Sequence, residues 1–289
     1  MKYLVTGSSG FIGSHLLESL TNMGAEVIEC DLINGQDLCD ANYVHTLPDV
    51  DVIFHLAAIN GTWKFYEKPW EVGKNNILPT LNLLERYRNS SAKFVFASTC
   101  EIFNGAVDSG VYSIPTDENV PVMFDEITNP RWSYSIPKAL GENLVANSGL
   151  KYLILRYFNI YGPRQRDHFI SEFYERHKDG SPPSIIGNDT RSFCYVEDAV
   201  NMTVELAKVA KNQILNVGKQ EETPIEDVAK LILEICDLSS ENLEIFPSPV
   251  GSVSRRCPDM SKTLDILNEF EYIPLRTGLE KTLNEYKGR

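Results

Sequence analysis

Short, nearly continuous apolar runs recur along the first half of the chain: KYLVTG (2–7), AEVIECD (25–31), DVIFHLAA (51–58), KFVFAS (93–98) and YLILRYF (152–158). Each is rich in Val, Ile, Leu and Phe, which predicts strands buried on both faces. Between several of them the apolar spacing changes. FIGSHLLESLTNMG (11–24) carries Ile12, Leu16, Leu17 and Leu20 at helical intervals, with Gly24 as a stop signal. NNILPTLNLLERYR (75–88) carries Ile77, Leu81 and Leu84 in the same way, with Pro79 marking a kink or a first turn. Strands alternating with helices predict an α/β fold: a parallel sheet with helices on both faces.

The second half is less regular. DHFISEFYERHKDG (167–180) and PIEDVAKLILEICD (224–237) read as helices, and SIIG, ILNVG and LEIF as short strands. A helix opens near YVEDAVNMTVELAKVA (195–210), with Asp198 as its expected cap. PTDENVPVMFDEITNP (115–130) is a long connection of the kind that is either disordered or functional. No internal repeat or low-complexity tract interrupts the chain.

Composition adds limits. With 43% hydrophobic and 23% charged residues over 289 positions, the chain has ample material for a core, as one large domain or two intimate ones. A net charge of −13 argues against nucleic-acid binding, so a polyanionic ligand would be held by a few local arginines. No window of 18 uncharged apolar residues predicts a membrane span, and MKYLVTG runs straight into a strand without a signal-peptide layout. The six cysteines are scattered without a CxxC pair. Reduced thiols in a cytoplasmic protein, with no metal site, are expected.

TGSSGFIG (6–13) spaces Gly7, Gly10 and Gly13 after the first strand and at the mouth of the first helix. Gly7 permits a tight turn, Gly10 lets backbone approach a pyrophosphate, and Gly13 lets the helix pack closely on the strand. The helix N-terminus offers N–H groups to the phosphates. Asp31 ends the second strand, where a carboxylate accepts hydrogen bonds from ribose hydroxyls and repels a 2′-phosphate, favouring NAD over NADP. Asp37 and Leu38 are placed to lie by the adenine.

WSYSIPKALGE (132–142) sets Tyr134 and Lys138 one helical turn apart, on one face. A phenol with a pKa near ~10 is a poor base at neutral pH unless a neighbouring cation stabilises its anion. With an ammonium and the positive ring of an oxidised nicotinamide beside it, Tyr134 can take a hydroxyl proton while hydride leaves the same carbon.

With these features the chain resembles an extended short-chain dehydrogenase/reductase of the NAD-dependent sugar-nucleotide epimerase/dehydratase family, over nearly its full length. The likeness includes HLAA (55–58), Asn76 in NNILPT, RYFNIYGPRQ (156–165), RSFCYVEDAV (191–200), and RRCPD (255–259), similar to the family's R-P-G-D. HLAA and RSFCYVED taken singly also read as a plain strand and a plain strand-to-helix turn. The resemblance implies a Rossmann-type doubly wound parallel sheet over residues 1–160, with 190–218 returning to it. A smaller C-terminal α/β substrate domain is implied from 161–189 and 219–289. It implies a tightly held NAD, a nucleoside diphosphate sugar as substrate, and a homodimer packed through a four-helix bundle. Cofactor contacts are implied for Gly7, Gly10, Phe11, Ile12, Gly13, Asp31, Asp37, Leu38, Leu56, Ala57, Ala58, Asn76, Ser98, Tyr134 and Lys138. Asn159, Arg191 and Arg256 are implied near the substrate's phosphates or nucleotide, whereas Arg164 also fits a surface salt bridge.

STCEIF (98–103) then singles out the reaction. The family places a Ser or Thr here to hydrogen-bond the sugar hydroxyl being oxidised; Thr99 fits, with Ser98 its neighbour. Dehydratases resemble T-D-E at this point and decarboxylases T-S-E, whereas this chain has Thr99-Cys100-Glu101. A C4 ketone acidifies the C5 hydrogen, so Glu101 is a candidate base. Cys100, protonated at pH 7 as an ordinary thiol, is a candidate acid or simply a small buried apolar residue. Dehydration is therefore the favoured outcome, followed by 4-epimerisation and then decarboxylation of a uronic acid. A non-catalytic NAD-binding protein is the alternative from another class, and the intact Tyr134/Lys138 pair argues against it.

Overall fold

A computed structural model describes residues 1–187, 189–248 and 254–288. Five of the apolar runs form strands β1 (Lys2–Thr6), β2 (Glu26–Cys30), β3 (Val52–His55), β4 (Lys93–Thr99) and β5 (Lys151–Tyr157). A sixth strand, Gln213–Val217, comes from the ILNVG segment and pairs with β5, so this part of the second half returns to the sheet. All pairings are parallel, and from edge to edge the order is the sixth strand, β5, β4, β3, β1, β2.

Period-two alternation divides the sheet's side chains between two cores. Tyr3, Val5, Val52, Phe54, Val95, Leu153 and Leu155 face helix α1 (Phe11–Asn22) and the helix Val196–Val209. Leu4, Ile53, Phe94, Phe96 and Ile154 face the helices Pro69–Tyr87 and Trp132–Ala146, which also pack on each other. Both faces are covered, and this is why the strand sequences lack a polar side.

Three local expectations change. The helix foreseen around Pro79 begins ten residues earlier, at Pro69, whose missing N–H costs nothing in a first turn, and Pro79 lies in its interior. Its buried face runs through Val72, Asn76, Thr80, Leu83, Leu84 and Tyr87, leaving Leu81 40% exposed. Asp198 is no cap: the helix starts at Val196, and the Asp198 carboxylate accepts from the Ile273 N–H at 3.0 Å.

The connection 115–130 is ordered by the C-terminal part of the chain. Thr116 exchanges backbone hydrogen bonds with Cys257 and Asp259, and Glu118 accepts from the Asn216 N–H. Beyond the sheet, Ser184–Ile186 pairs in parallel with Glu244–Phe246. Strand β2 is an edge: among the described residues no strand pairs its outer side, where Gln36 donates to the Glu29 carbonyl and accepts from the Asp31 N–H.

Candidate active site

Strand succession reverses between β1 and β3, with β2 added on one side and β3, β4 and β5 on the other, which opens a crevice at the strands' carboxyl ends, the usual ligand position of an open α/β sheet. Gly7 follows β1, Asp31 follows β2, Leu56 follows β3, and Thr99 ends β4. Gly7 adopts φ +69°, and a Cβ on it would lie 2.8 Å from the Ala57 nitrogen. At Gly13 a Cβ would fall 2.0 Å from the Gly7 carbonyl oxygen, so α1 sits against the loop as only glycine allows. One Asp31 oxygen accepts from the Ser9 N–H at 2.9 Å and the other from the Ile33 N–H at 3.0 Å. This fixes the carboxylate at the loop's edge. Ser8 Oγ in the same loop is buried without a partner. The residues present therefore fit a dinucleotide, with the Asp31 carboxylate at the ribose position.

Some of the implied cofactor residues hold the frame of the crevice. Asn76 donates to the Ile59 carbonyl and accepts from its N–H, so its amide fixes the loop after β3. Leu38 is buried and its carbonyl accepts from Asn82, while Asp37 is exposed and accepts from the Cys39 N–H. Beneath the crevice His55 lies between the hydroxyls of Thr6 (2.8 Å) and Thr80 (3.0 Å), and burial depresses its pKa to about 3. It is a neutral strut joining β1, β3 and the helix Pro69–Tyr87.

Tyr134 and Lys138 share one face of the helix Trp132–Ala146, with Lys138 Nζ 6.0 Å from the Tyr134 ring centroid. Gly141 makes the approach possible, since a Cβ there would lie 2.5 Å from the Phe96 ring. At that closeness Lys138 Nζ donates to the Ala97 carbonyl at 2.7 Å. Pro137, the sixth residue of the helix, lies past the first turn; its ring withholds the N–H that would have bonded the Ser133 carbonyl. Burial lowers the Lys138 pKa to about 8, with Glu142 pulling it partly back. Burial pushes the Tyr134 phenol up, Glu101 and Cys100 add to this, and a hydrogen bond with Thr99 opposes it. Phe65 stacks face to face on Tyr134 at 5.1 Å and shuts water from that side.

Behind this pair, Ser98 donates to Glu142 at 2.5 Å, and Glu142 is held bidentately by Arg156 at 2.9 and 2.7 Å. The Ser98 hydroxyl is thus committed to a buried ion pair, and Thr99 is the hydroxyl next to Tyr134.

On the sugar side, Glu101 is the centre of an ionic cluster. It pairs with Arg256 at 2.6 Å and Arg131 at 3.3 Å, and Asn104 donates to it as well. Burial alone would raise its pKa, but the two arginines and Asn104 outweigh burial and hold the carboxyl below its ordinary range. Arg191 pairs with Asp189 at 3.6 Å nearby, and burial and Arg256 push its pKa down to about 10. Cys100 packs with Ile102, Phe103, Ala106 and Phe158, and burial raises its thiol to about 11. Asn159 Oδ1, Arg131 Nε and Arg256 Nε are buried without partners. Arg164 stands apart: it clamps Glu18 at 2.7 Å and His15 at 2.8 Å. Motif spacing does not reach Arg131 and Phe65, although Arg131 stands only three residues before Tyr134.

The chain matches the NAD dependent epimerase/dehydratase family over residues 3–218, and it belongs to that family. NAD is accordingly its cofactor. It is 31% identical to the UDP-N-acetyl-alpha-D-glucosaminuronate decarboxylase of Bacillus cytotoxicus, covering 98% of this chain and 97% of that one. It is 32% identical to a putative UDP-glucose 4-epimerase of Methanocaldococcus jannaschii, covering 98% of each. Among solved structures, the UDP-glucose 4-epimerase of Thermotoga maritima with UDP-glucose superposes with a TM-score of 0.88 at 28% identity, covering 100% of this chain and 99% of that one. The protein is an NAD-dependent enzyme of nucleotide sugars, with a Rossmann-type sheet and a C-terminal part over its carboxyl edge.

Proposed function

We propose that this enzyme decarboxylates a nucleoside diphosphate uronic acid through a 4-keto intermediate. The observation that carries the choice is Glu101, clamped as an anion by Arg256, Arg131 and Asn104. Dehydration, the outcome that Thr99-Cys100-Glu101 favours in the sequence, needs a base at C5. A carboxylate with its oxygens occupied and its pKa held down accepts a proton poorly. Loss of carbon dioxide from a β-keto acid needs no such base: the electron pair of the C5–C6 bond passes to the C4 oxygen, where hydrogen-bond donors stabilise it. Arginine forks are suited to bind and orient the carboxylate before it leaves as neutral carbon dioxide. The likeness to the Bacillus cytotoxicus decarboxylase supports the same choice.

In this reading Thr99 orients the C4 hydroxyl and Tyr134 removes its proton, with Lys138 stabilising the phenolate. The loop 7–13 and Asp31 would hold NAD, which would supply the hydride acceptor and donor for C4 and a positive charge favouring the ionised tyrosine. The protonated Tyr134 and Thr99 would then donate to the C4 oxygen as the C5–C6 bond breaks and charge gathers there; C5 would take a proton from water, re-forming the ketone, and Tyr134 would return its proton to the C4 oxygen when C4 is reduced. Asn159, Arg191 and Arg256 hold the diphosphate. Cys100 stays a packed, protonated thiol beside Glu101.

The rival reading is 4-epimerisation, supported by the likeness to the two epimerases. Incubating the NAD-loaded protein with UDP-glucuronic acid, UDP-N-acetylglucosaminuronic acid and UDP-glucose, and following product mass, separates them. Release of carbon dioxide from a uronate is the expected result; unchanged mass with inverted C4 would replace this reading, as would loss of water. We also propose a homodimer. The paired helices Pro69–Tyr87 and Trp132–Ala146 expose Trp70 (77%), Leu81 and Leu140, large apolar side chains suited to a helix-packed interface.

A further inference from the structure

We propose that Arg131 reads the substrate's C6 group: it releases Glu101 and turns its guanidinium to an incoming carboxylate, while Arg256 keeps Glu101 in place. The inference rests on the decarboxylase reading above and names the residue that gives it specificity.

The two contacts to Glu101 are unequal. Arg256 lies at 2.6 Å, a tight charge-assisted bond, whereas Arg131 reaches the other oxygen at 3.3 Å and shares it with Asn104. Arg131 is therefore the arginine that can leave without stranding the carboxylate. Its Nε is buried with no acceptor, and its side chain is 15% exposed. A buried guanidinium with an unmet donor offers a carboxylate two parallel N–H groups, Nε and a terminal nitrogen, in the fork that carboxylates fit.

Its backbone, by contrast, is anchored. The Arg131 N–H donates to Asn129 Oδ1 at 3.1 Å, and the next residue, Trp132, fixes the segment by donating Nε1 to Asp125 at 2.8 Å. The side chain can swing while its Cα stays. That Cα caps the helix bearing Tyr134. A carboxylate at C6 held by Arg131 would therefore place C4 of the same ring with respect to the phenol one turn further on. A neutral hydroxymethyl at C6 has no charge to offer in exchange for Glu101, and Arg131 would stay paired.

The test is to measure dissociation constants of NAD-loaded protein for UDP-glucuronic acid and UDP-glucose by calorimetry. Wild type should prefer the uronate, and Arg131→Gln should cut that preference by about 10–100-fold while UDP-glucose affinity is unchanged. Arg131→Lys, which keeps charge but not the fork, should fall between. Equal weakening of both ligands, or a preference that survives in Arg131→Gln, would show that Arg131 only supports Glu101 and would overturn the inference. So would a wild type indifferent to the C6 group. If wild type prefers the uronate through Arg131 yet releases no carbon dioxide, the reaction assigned above fails and the carboxylate reader stands.

Discussion

The two ends of the crevice handle charge differently. At the cofactor end the charged and titratable groups are met by neutral groups of the protein, with Ser8 Oγ left unmet: Lys138 donates to the Ala97 carbonyl, Asp31 accepts from two backbone N–H groups, and His55 is bridged by two threonines. At the sugar end Glu101 is over-subscribed while Arg131 Nε, Arg256 Nε and Asn159 Oδ1 are buried without partners. Buried donors and acceptors left unmet cost about 1–3 kcal/mol each, so they persist where a ligand meets them. In the proposed reaction the first end would serve oxidation at C4 and the second the fate of the resulting ketone.

The sharpest way to break this contrast is at the proposed proton acceptor. Tyr134→Phe should lower turnover about 10²–10⁴-fold while leaving NAD and UDP-sugar affinities intact, as steady-state kinetics and calorimetry would show. A variant with full turnover would remove the basis for assigning chemistry to the cofactor end. At the sugar end, Arg256→Met should destabilise the fold by about 3–5 kcal/mol in urea unfolding, because it leaves a buried carboxylate with its weaker partner. Glu101→Met/Arg256→Met together should recover much of that loss. Simple additivity in the double variant would mean that the pair is not coupled.

A third prediction concerns the neutral strut. The folded pKa of His55 lies near 3, below the 6.5 of an ordinary histidine. Between those values the unfolded chain binds a proton that the folded chain refuses. Stability is thus whole above about pH 6.5 and falls as the pH drops toward 3. Asp198, raised by burial to about 6 from 3.8, runs the opposite way, its cost appearing as pH rises through that window. The His55 contribution is isolated by His55→Asn, which should flatten the acid slope between pH 6.5 and 5 by on the order of 2 kcal/mol even if it lowers Tm at every pH. The smallest effect is expected at Arg164→Ala: less than about 1 kcal/mol of stability and unchanged turnover, since its partner Glu18 is 59% exposed. A large kinetic effect there would extend the site beyond the two ends described.

Much of the cofactor end was legible in the chain because its signals are local. The glycine spacing, the strand-end Asp31 and the one-turn interval from Tyr134 to Lys138 each lie within a few residues and have a direct physical meaning. Pro79 misled the helix boundary, since a proline reads as a break or a first turn, whereas here Pro69 occupies the first turn and Pro79 is tolerated inside. Arg131, Phe65 and Asn104 were not legible. Each acquires its role from a partner 30 or more residues distant, or from a side chain turned back on its own loop. The clamp on Glu101 was not legible for the same reason: one of its jaws, Arg256, comes from the far end of the chain.

The position of β2 at the margin of the sheet carries a consequence for heating. An outermost strand frays before the interior ones. Here the next residue, Asp31, is the one that would grip the adenosine ribose, so thermal loosening of that margin should be felt as dinucleotide escape while both cores are still packed. Loss of bound-NADH fluorescence would then precede the loss of far-ultraviolet ellipticity on a slow temperature ramp, and added NADH would move the first event upward more than the second.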